Sequence, residues 1–372
     1  MIALSSWTVI WFLVFAGRGA FSWHYFTQGS TLLFDGAAPG KPAGGLHVYA
    51  NYPQLQFGPV TFAAANLLRL SGSVLLAEAV MTAIGVLIVY CIERIAVRAR
   101  PDLARDNRLH ATMLIGGGAF LVGWADLSVA YGHLDDVIAL LAVTLALWAL
   151  VCERPAMAGI CVGLAVDAKP WALVFLPLIL AVPATRRRPA VIAAAATVVL
   201  AWLPFVVADP HTLTAAGYTI VNEPSSALRA LGVSAPRTPG WDRPAQIVLG
   251  CLLGALAAKR GRWPAIIALG IGARIALDPG VYGYYTAGLL LGALIWDILG
   301  PRRPIPVWTL ISGITLAAAP LLISDAALQG RIRLWLILAL TAALCFGPSR
   351  LAVGGASGRE TINGRAGNRL RR

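Results

Sequence analysis

Long apolar runs alternate with short polar ones along almost the whole chain. Runs at 2–16, 59–92, 109–125, 134–152, 156–167, 171–184, 190–208, 244–258, 263–277, 285–299, 305–323 and 334–347 carry few charges. A bilayer core of about 30 Å takes about 20 apolar residues of helix, and the backbone polar groups inside it must bond within their own segment. The pattern therefore predicts an all-α polytopic membrane protein with about twelve hydrophobic helices. The run at 59–92 is longer than one crossing, so its start is expected along the interface. The runs at 156–167 and 171–184 are short and separated by Asp167-Ala168-Lys169-Pro170, which reads as a broken or re-entrant hairpin over 156–184. The first run has no basic residue before it and reads as a retained helix, not a signal peptide.

Composition strengthens this picture. Of 372 residues 58% are hydrophobic and 13% charged, more apolar than a water-facing surface of this size tolerates. A net charge of +13 would point to nucleic acid in a soluble protein. Here the basic residues sit between apolar runs, with no basic face interleaved with aromatics, so no nucleic-acid partner is expected. When successive loops are assigned to alternate sides, twenty Lys and Arg fall on one side and seven on the other, which places both termini in the cytoplasm. That count puts Arg331 and Arg333 in an outward loop.

The expected organisation is one transmembrane domain, 1–348, with long outward loops at 17–58 and 209–244. A Gly-rich, basic tail at 349–372 is expected to be disordered. The five cysteines form no CxxC pair and read as packing residues. Gly250 and Gly254 form a small-xxx-small pair suited to close helix packing.

Ionisable residues gather at the outward ends of the runs, where a charge near lipid needs a partner or water. Asp126, His133, Asp135 and Asp136 lie at the facing ends of two neighbouring helices; capping explains one acid but not two acids with a histidine. Lys169 lies at the tip of the hairpin, either to reach a phosphate, to pair with Asp167 or simply to snorkel toward the surface. Arg274 and Asp278 have the i, i+4 spacing of an ion pair, with an anion clamp as the alternative, and Tyr282, Tyr284 and Tyr285 follow. The first outward loop carries Trp23-His24-Tyr25-Phe26, Asp35, and Tyr49 to Pro59 with Gln54 among them. That mixture of aromatics, amides and histidines suits stacking on sugar rings and bonding to hydroxyls.

In order along the chain, Trp23-His24-Tyr25-Phe26 with Tyr49 to Pro59, Gly132-His133-Leu134-Asp135-Asp136, Gly163-Leu164-Ala165 with Lys169-Pro170-Trp171, and Arg274 to Tyr285 form a set. As a set they resemble the GT-C class of polyprenyl-phosphate-sugar-dependent glycosyltransferases, nearest to the actinobacterial, mannosyltransferase-like family 87. The resemblance implies a multi-pass cell-membrane enzyme with its active face extracytoplasmic. It implies transfer of a sugar, mannose favoured, from a polyprenyl-phosphate carrier to a glycan or glycolipid acceptor of the cell envelope. A carboxylate of the first outward loop acts as general base in that class. Asp35 is the only acid in the loop here, and Ser22 and Gln54 are not acidic, so Asp35, Asp126 and His24 stand as candidate catalytic groups. His133, Asp135, Asp136, Lys169, Arg274, Tyr284, Tyr285 and Gln54 are the candidate substrate-binding residues, with Lys169 and Arg274 set to neutralise the leaving phosphate. No cofactor is called for, although Asp135 and Asp136 are compatible with a divalent cation. The alternatives are a transporter or flippase of lipid-linked substrates, and a noncatalytic relative that binds the lipid carrier.

Overall fold

The computed structural model describes residues 1–300 and 305–347. The tail assigned to 349–372 lies outside the described residues. Among those described there are helices and no strand, with one isolated bridge between Val221 and Arg237. Five helices are long and apolar enough to cross a membrane, and six shorter apolar helices accompany them.

The helices are α1 (Ile2–Phe15), α2 (Trp23–Phe34), α3 (Val48–Asn51), α4 (Pro59–Arg69), α5 (Val74–Ala99), α6 (Asn107–Ala125) and α7 (Leu134–Val151). They continue as α8 (Pro155–Ala168), α9 (Arg187–Ala208), α10 (Ala227–Ala230), α11 (Asp242–Lys259), α12 (Ile266–Leu277), α13 (Tyr285–Leu299), α14 (Val307–Leu322) and α15 (Ala326–Phe346).

Three features depart from the sequence expectation. The run at 59–92 is two helices: Gly72, at φ +65°, turns the chain after α4, and the Ser73 hydroxyl caps α5 by accepting from the Leu76 N–H. The 17–58 stretch, expected as a loop, is not all loop, because its Trp23–Phe34 part is helical and buries Trp23, Phe26 and Leu32. The last helix starts at Ala326, so Arg331 and Arg333 are helical and not loop residues. Asp325 sets that start by accepting from the Ala327 and Leu328 N–H groups.

The chain breaks at Lys169, which is extended (φ −151°, ψ 118°) because the following Pro170 disfavours helix there. Beyond it Pro170–Ala181 winds as a 3-10 helix, with Pro177 inside it. Its rise of about 2.0 Å per residue carries twelve residues roughly as far as the fourteen of α8. Both ends of the hairpin consequently return to one level, where Arg186 pairs with Glu153 at 3.2 Å.

Glycines set the closest approaches. A Cβ on Gly159 would strike the Ala190 carbonyl of α9, and one on Gly292 of α13 would strike the Ala268 backbone of α12. Gly250 and Gly254 of α11 face Val174 and Pro177 of the 3-10 helix, so this small-residue pair packs within the chain. α12 and α13 are almost wholly buried and form the centre of the bundle. Their adjoining ends, with those of α7 and α8, carry the polar residues described next.

Candidate functional site

Four stretches far apart in sequence bring charged side chains to one buried place. Asp135 and Asp136 occupy the first turn of α7, where the helix dipole favours carboxylates. Lys169 comes from the break after α8, and its Nζ lies 2.8 Å from an oxygen of each carboxylate. Of the alternatives open for Lys169, the pair with Asp167 does not form; Asp167 is buried beside Tyr49 and Trp202 instead. Trp171 Nε1 donates to Asp136 Oδ1 at 3.1 Å. His133 Nδ1 lies 3.0 Å from Asp135 Oδ1 and 3.4 Å from Asp136 Oδ2.

Arg274 closes the cluster from α12. Its guanidinium is stacked between two rings, 4.4 Å from the Trp171 centroid and 4.2 Å from that of Tyr285. Asp278 lies 3.5 Å from its Nε, and Asp136 only 3.8 Å from a terminal nitrogen. Most of its five N–H groups are thus left without a close acceptor. Asp278 is held in turn by the Tyr285 hydroxyl at 3.0 Å and the Gly280 N–H at 2.8 Å. Arg274, Lys169, Asp135, Asp136 and Asp278 are all buried, so each depends on these partners.

Tyrosines wall the cluster. Tyr284 stacks on His133 at 3.8 Å and on Tyr282 at 5.2 Å, while Tyr131 meets it edge-on at 5.3 Å. Burial pushes the Tyr284 phenol well above its ordinary pKa, and Tyr285 and Asp136 nearby push it further. Burial likewise raises Tyr282, with Asp278 adding to it. These phenols stay protonated at neutral pH and are hydrogen-bond donors there.

The three candidate bases separate. Asp126 is half-buried next to Tyr131: its Oδ2 is close against Gly283, and its charge acts on the Tyr131 phenol. Asp35 is exposed and paired with Arg69 at 2.8 Å. His24 is exposed on the outer side of α2, and two residues on, about 200° around the helix, Phe26 faces inward to His133 at 5.9 Å. His24 and Arg69 instead share a hollow of about 390 Å³ with Trp23, Thr27 and Ser73. Gln54 is exposed, whereas its neighbour Gln56 accepts from Arg243 at 3.0 Å.

His133, Asp135 and Asp136 present ligand atoms within 4.8 Å of one another, a donor set compatible with a divalent cation. The Lys169 ammonium already takes the place between the two carboxylates, and a dication there would be repelled by it. With lysine charged, the residues fit a metal poorly.

Trp171, Asp278, Tyr131 and Tyr282 complete the cluster although sequence reasoning did not number them among the site residues. Asp278 had a signal in its spacing from Arg274. Trp171 had only its place after Lys169-Pro170.

Residues 57–227 match the family model described as glycosyltransferase family 87. The match takes in Asp126, His133, Asp135, Asp136 and Lys169 and ends before Arg274. No curated protein and no solved structure matches the chain.

Proposed function

The chain belongs to glycosyltransferase family 87, and from that premise we propose that it moves a sugar, with mannose favoured, from a polyprenyl-phosphate carrier to a cell-envelope acceptor. The reaction is placed at the extracytoplasmic face of the cell membrane. The observation that carries this reading is the under-bonded Arg274 beside Lys169, at the helix ends that also carry Asp126 and the tyrosine wall. A donor whose tail lies in the bilayer must present its phosphate at that depth, to a cation that is already fixed.

In this reading the spare N–H groups of Arg274, and the third of Lys169, bind the phosphate oxygens of the donor. Asp126 takes the proton of the acceptor hydroxyl, and the resulting oxygen attacks the anomeric carbon. The bond from that carbon to the phosphate oxygen breaks, its electron pair stays on phosphate, and polyprenyl phosphate leaves with the configuration inverted. Carboxylates already engage both cations, which orients them before substrate arrives. The Tyr284 and Tyr282 hydroxyls offer the sugar hydrogen-bond donors.

Asp35, the one acid of the first outward loop, is neutralised by Arg69, which favours a second reading: lipid-carrier binding without transfer. Purified protein in lipid, given polyprenyl-phosphate sugars with mannose first and arabinose second, separates the two when binding and transfer are read independently. Transfer of one sugar to an acceptor supports the enzyme; saturable binding with no transfer of any sugar supports the second reading.

A further inference from the structure

Arg243 stands in the first turn of α11, and among the described residues no ion pair reaches it. One terminal nitrogen of its guanidinium donates twice, to Gln56 Oε1 at 3.0 Å and to the Tyr218 carbonyl at 2.8 Å. Among the described residues its other N–H groups, on Nε and on the second terminal nitrogen, have no acceptor. Asp242, the residue before it, accepts from Gln246 at 2.9 Å instead. Arg243 is only half-buried, and so open to a ligand.

Its position is fixed from three sides. A Cβ on Gly254 of α11 would meet Ile266 of α12, and one on Gly250 would meet the Gly270 backbone, so the two helices run antiparallel. The same register carried on along both helices brings Gln246 level with Arg274 and Asp242 level with Asp278. Arg243 thus lies about one helical turn beyond Arg274, at the end of the bundle that carries the charged cluster. Of the charges that act on it, that of Asp278 is the largest and that of Arg274 the next. Its two acceptors are anchored to the same place. The Glu223 N–H donates to the Pro279 carbonyl at 2.8 Å, which lays the stretch after Tyr218 beside the Asp278 turn. Gln56 lies two residues before Gly58, whose N–H donates to the carbonyl of Ala168, next to Lys169.

Two guanidinium groups therefore share one carboxylate. Asp278 is already engaged on both oxygens, one by Arg274 and the Tyr285 hydroxyl, the other by the Gly280 N–H. The like charges repel, and each arginine keeps N–H groups without an acceptor. A phosphate between them relieves both conditions, because it brings the missing negative charge and several oxygens that match the guanidinium fork. A neutral hydroxyl brings no charge. We propose that Arg243 is a third cation of the phosphate site, meeting the donor's phosphate from the α11 side while Lys169 and Arg274 meet it from the α8 and α12 sides. The identity of that phosphate as a polyprenyl carrier's rests on the proposed sugar transfer.

The test uses the full chain in phosphatidylcholine nanodiscs, titrated separately with polyprenyl phosphate and with the uncharged polyprenol of equal length. Wild type is expected to prefer the phosphate. Arg243→Gln should cut that preference by about tenfold, the worth of one charge-assisted contact, while Arg243→Lys keeps part of it. Gln56→Leu removes one acceptor of Arg243 but leaves its charge, so it should keep most of the wild-type preference. A preference unchanged in Arg243→Gln would overturn the proposal and leave the site at Lys169 and Arg274 standing. A wild type that does not distinguish phosphate from alcohol would defeat that site as well. A loss in Gln56→Leu as large as in Arg243→Gln would show that the arginine only ties segments together, and would equally overturn the idea.

Discussion

Replacing Lys169 by methionine removes the ammonium that lies 2.8 Å from both Asp135 and Asp136 and leaves two carboxylates facing each other. Their side chains are only 4% and 5% exposed, so water replaces little of the lost charge. Asp136 keeps Trp171 and the more distant Arg274, whereas Asp135 keeps only His133 and a backbone N–H. Breaking a buried pair in this way costs about 3–5 kcal/mol. With an unfolding entropy of about 2.1 cal/mol/K per residue, a 372-residue chain would lose about 4 to 6 °C in Tm. Asp135→Asn in the same chain removes the stranded charge and should return most of that loss. Melting of the two single variants and the double variant in lipid nanodiscs measures the coupling. If Lys169→Met melts with wild type, or if Asp135→Asn restores nothing, the charge network is not what holds these helix ends together. Sugar transfer in the stabilised double variant then separates two roles: it should stay lost if Lys169 also meets substrate, and return if lysine is structural only.

Two further outcomes follow from packing and charge. Gly292→Ala puts a methyl into the Ala268 backbone, so α12 and α13 must move apart; overpacking of this kind costs about 1–3 kcal/mol and should lower Tm and donor affinity together. Asp209 ties the 209–244 stretch to the 17–58 stretch: it lies 3.2 Å from His47 and also accepts from the His211 N–H, contacts that hold its carboxyl below the usual aspartate range. Stability from a depressed carboxyl is complete above the ordinary aspartate pKa of about 3.9 and is lost as pH falls through the lower folded value. Acid melting curves should therefore lose part of their slope below about pH 4 in Asp209→Asn, and an unchanged slope would show that the loop tie is not felt.

How much of this was legible in sequence depends on how local each signal is. The apolar runs, the break before Pro170 and the Arg274–Asp278 spacing are local, and all three have counterparts in the structure. The split at Gly72 escaped because two apolar helices joined by Ser71-Gly72-Ser73 read as one run. Arg331 and Arg333 read as loop because charge normally marks the end of a span; the helix carries them inside its first turns. The partners of Lys169 lie 33 and 34 residues back along the chain, and Asp35 meets an arginine in the next helix but one. Spacing offers no guide to either. The nearest acid to Lys169 in sequence, Asp167, was the natural partner to expect, but α8 turns it to the opposite side toward Tyr49.

Donor binding and turnover compared in wild type, Arg274→Gln and Asp126→Asn test most directly whether cations at these helix ends hold a lipid phosphate beside a proton acceptor. Arg274→Gln should weaken binding of polyprenyl-phosphate mannose by at least about tenfold. Asp126→Asn should bind it as wild type does yet transfer nothing. Equal binding and equal transfer by all three proteins would contradict the account.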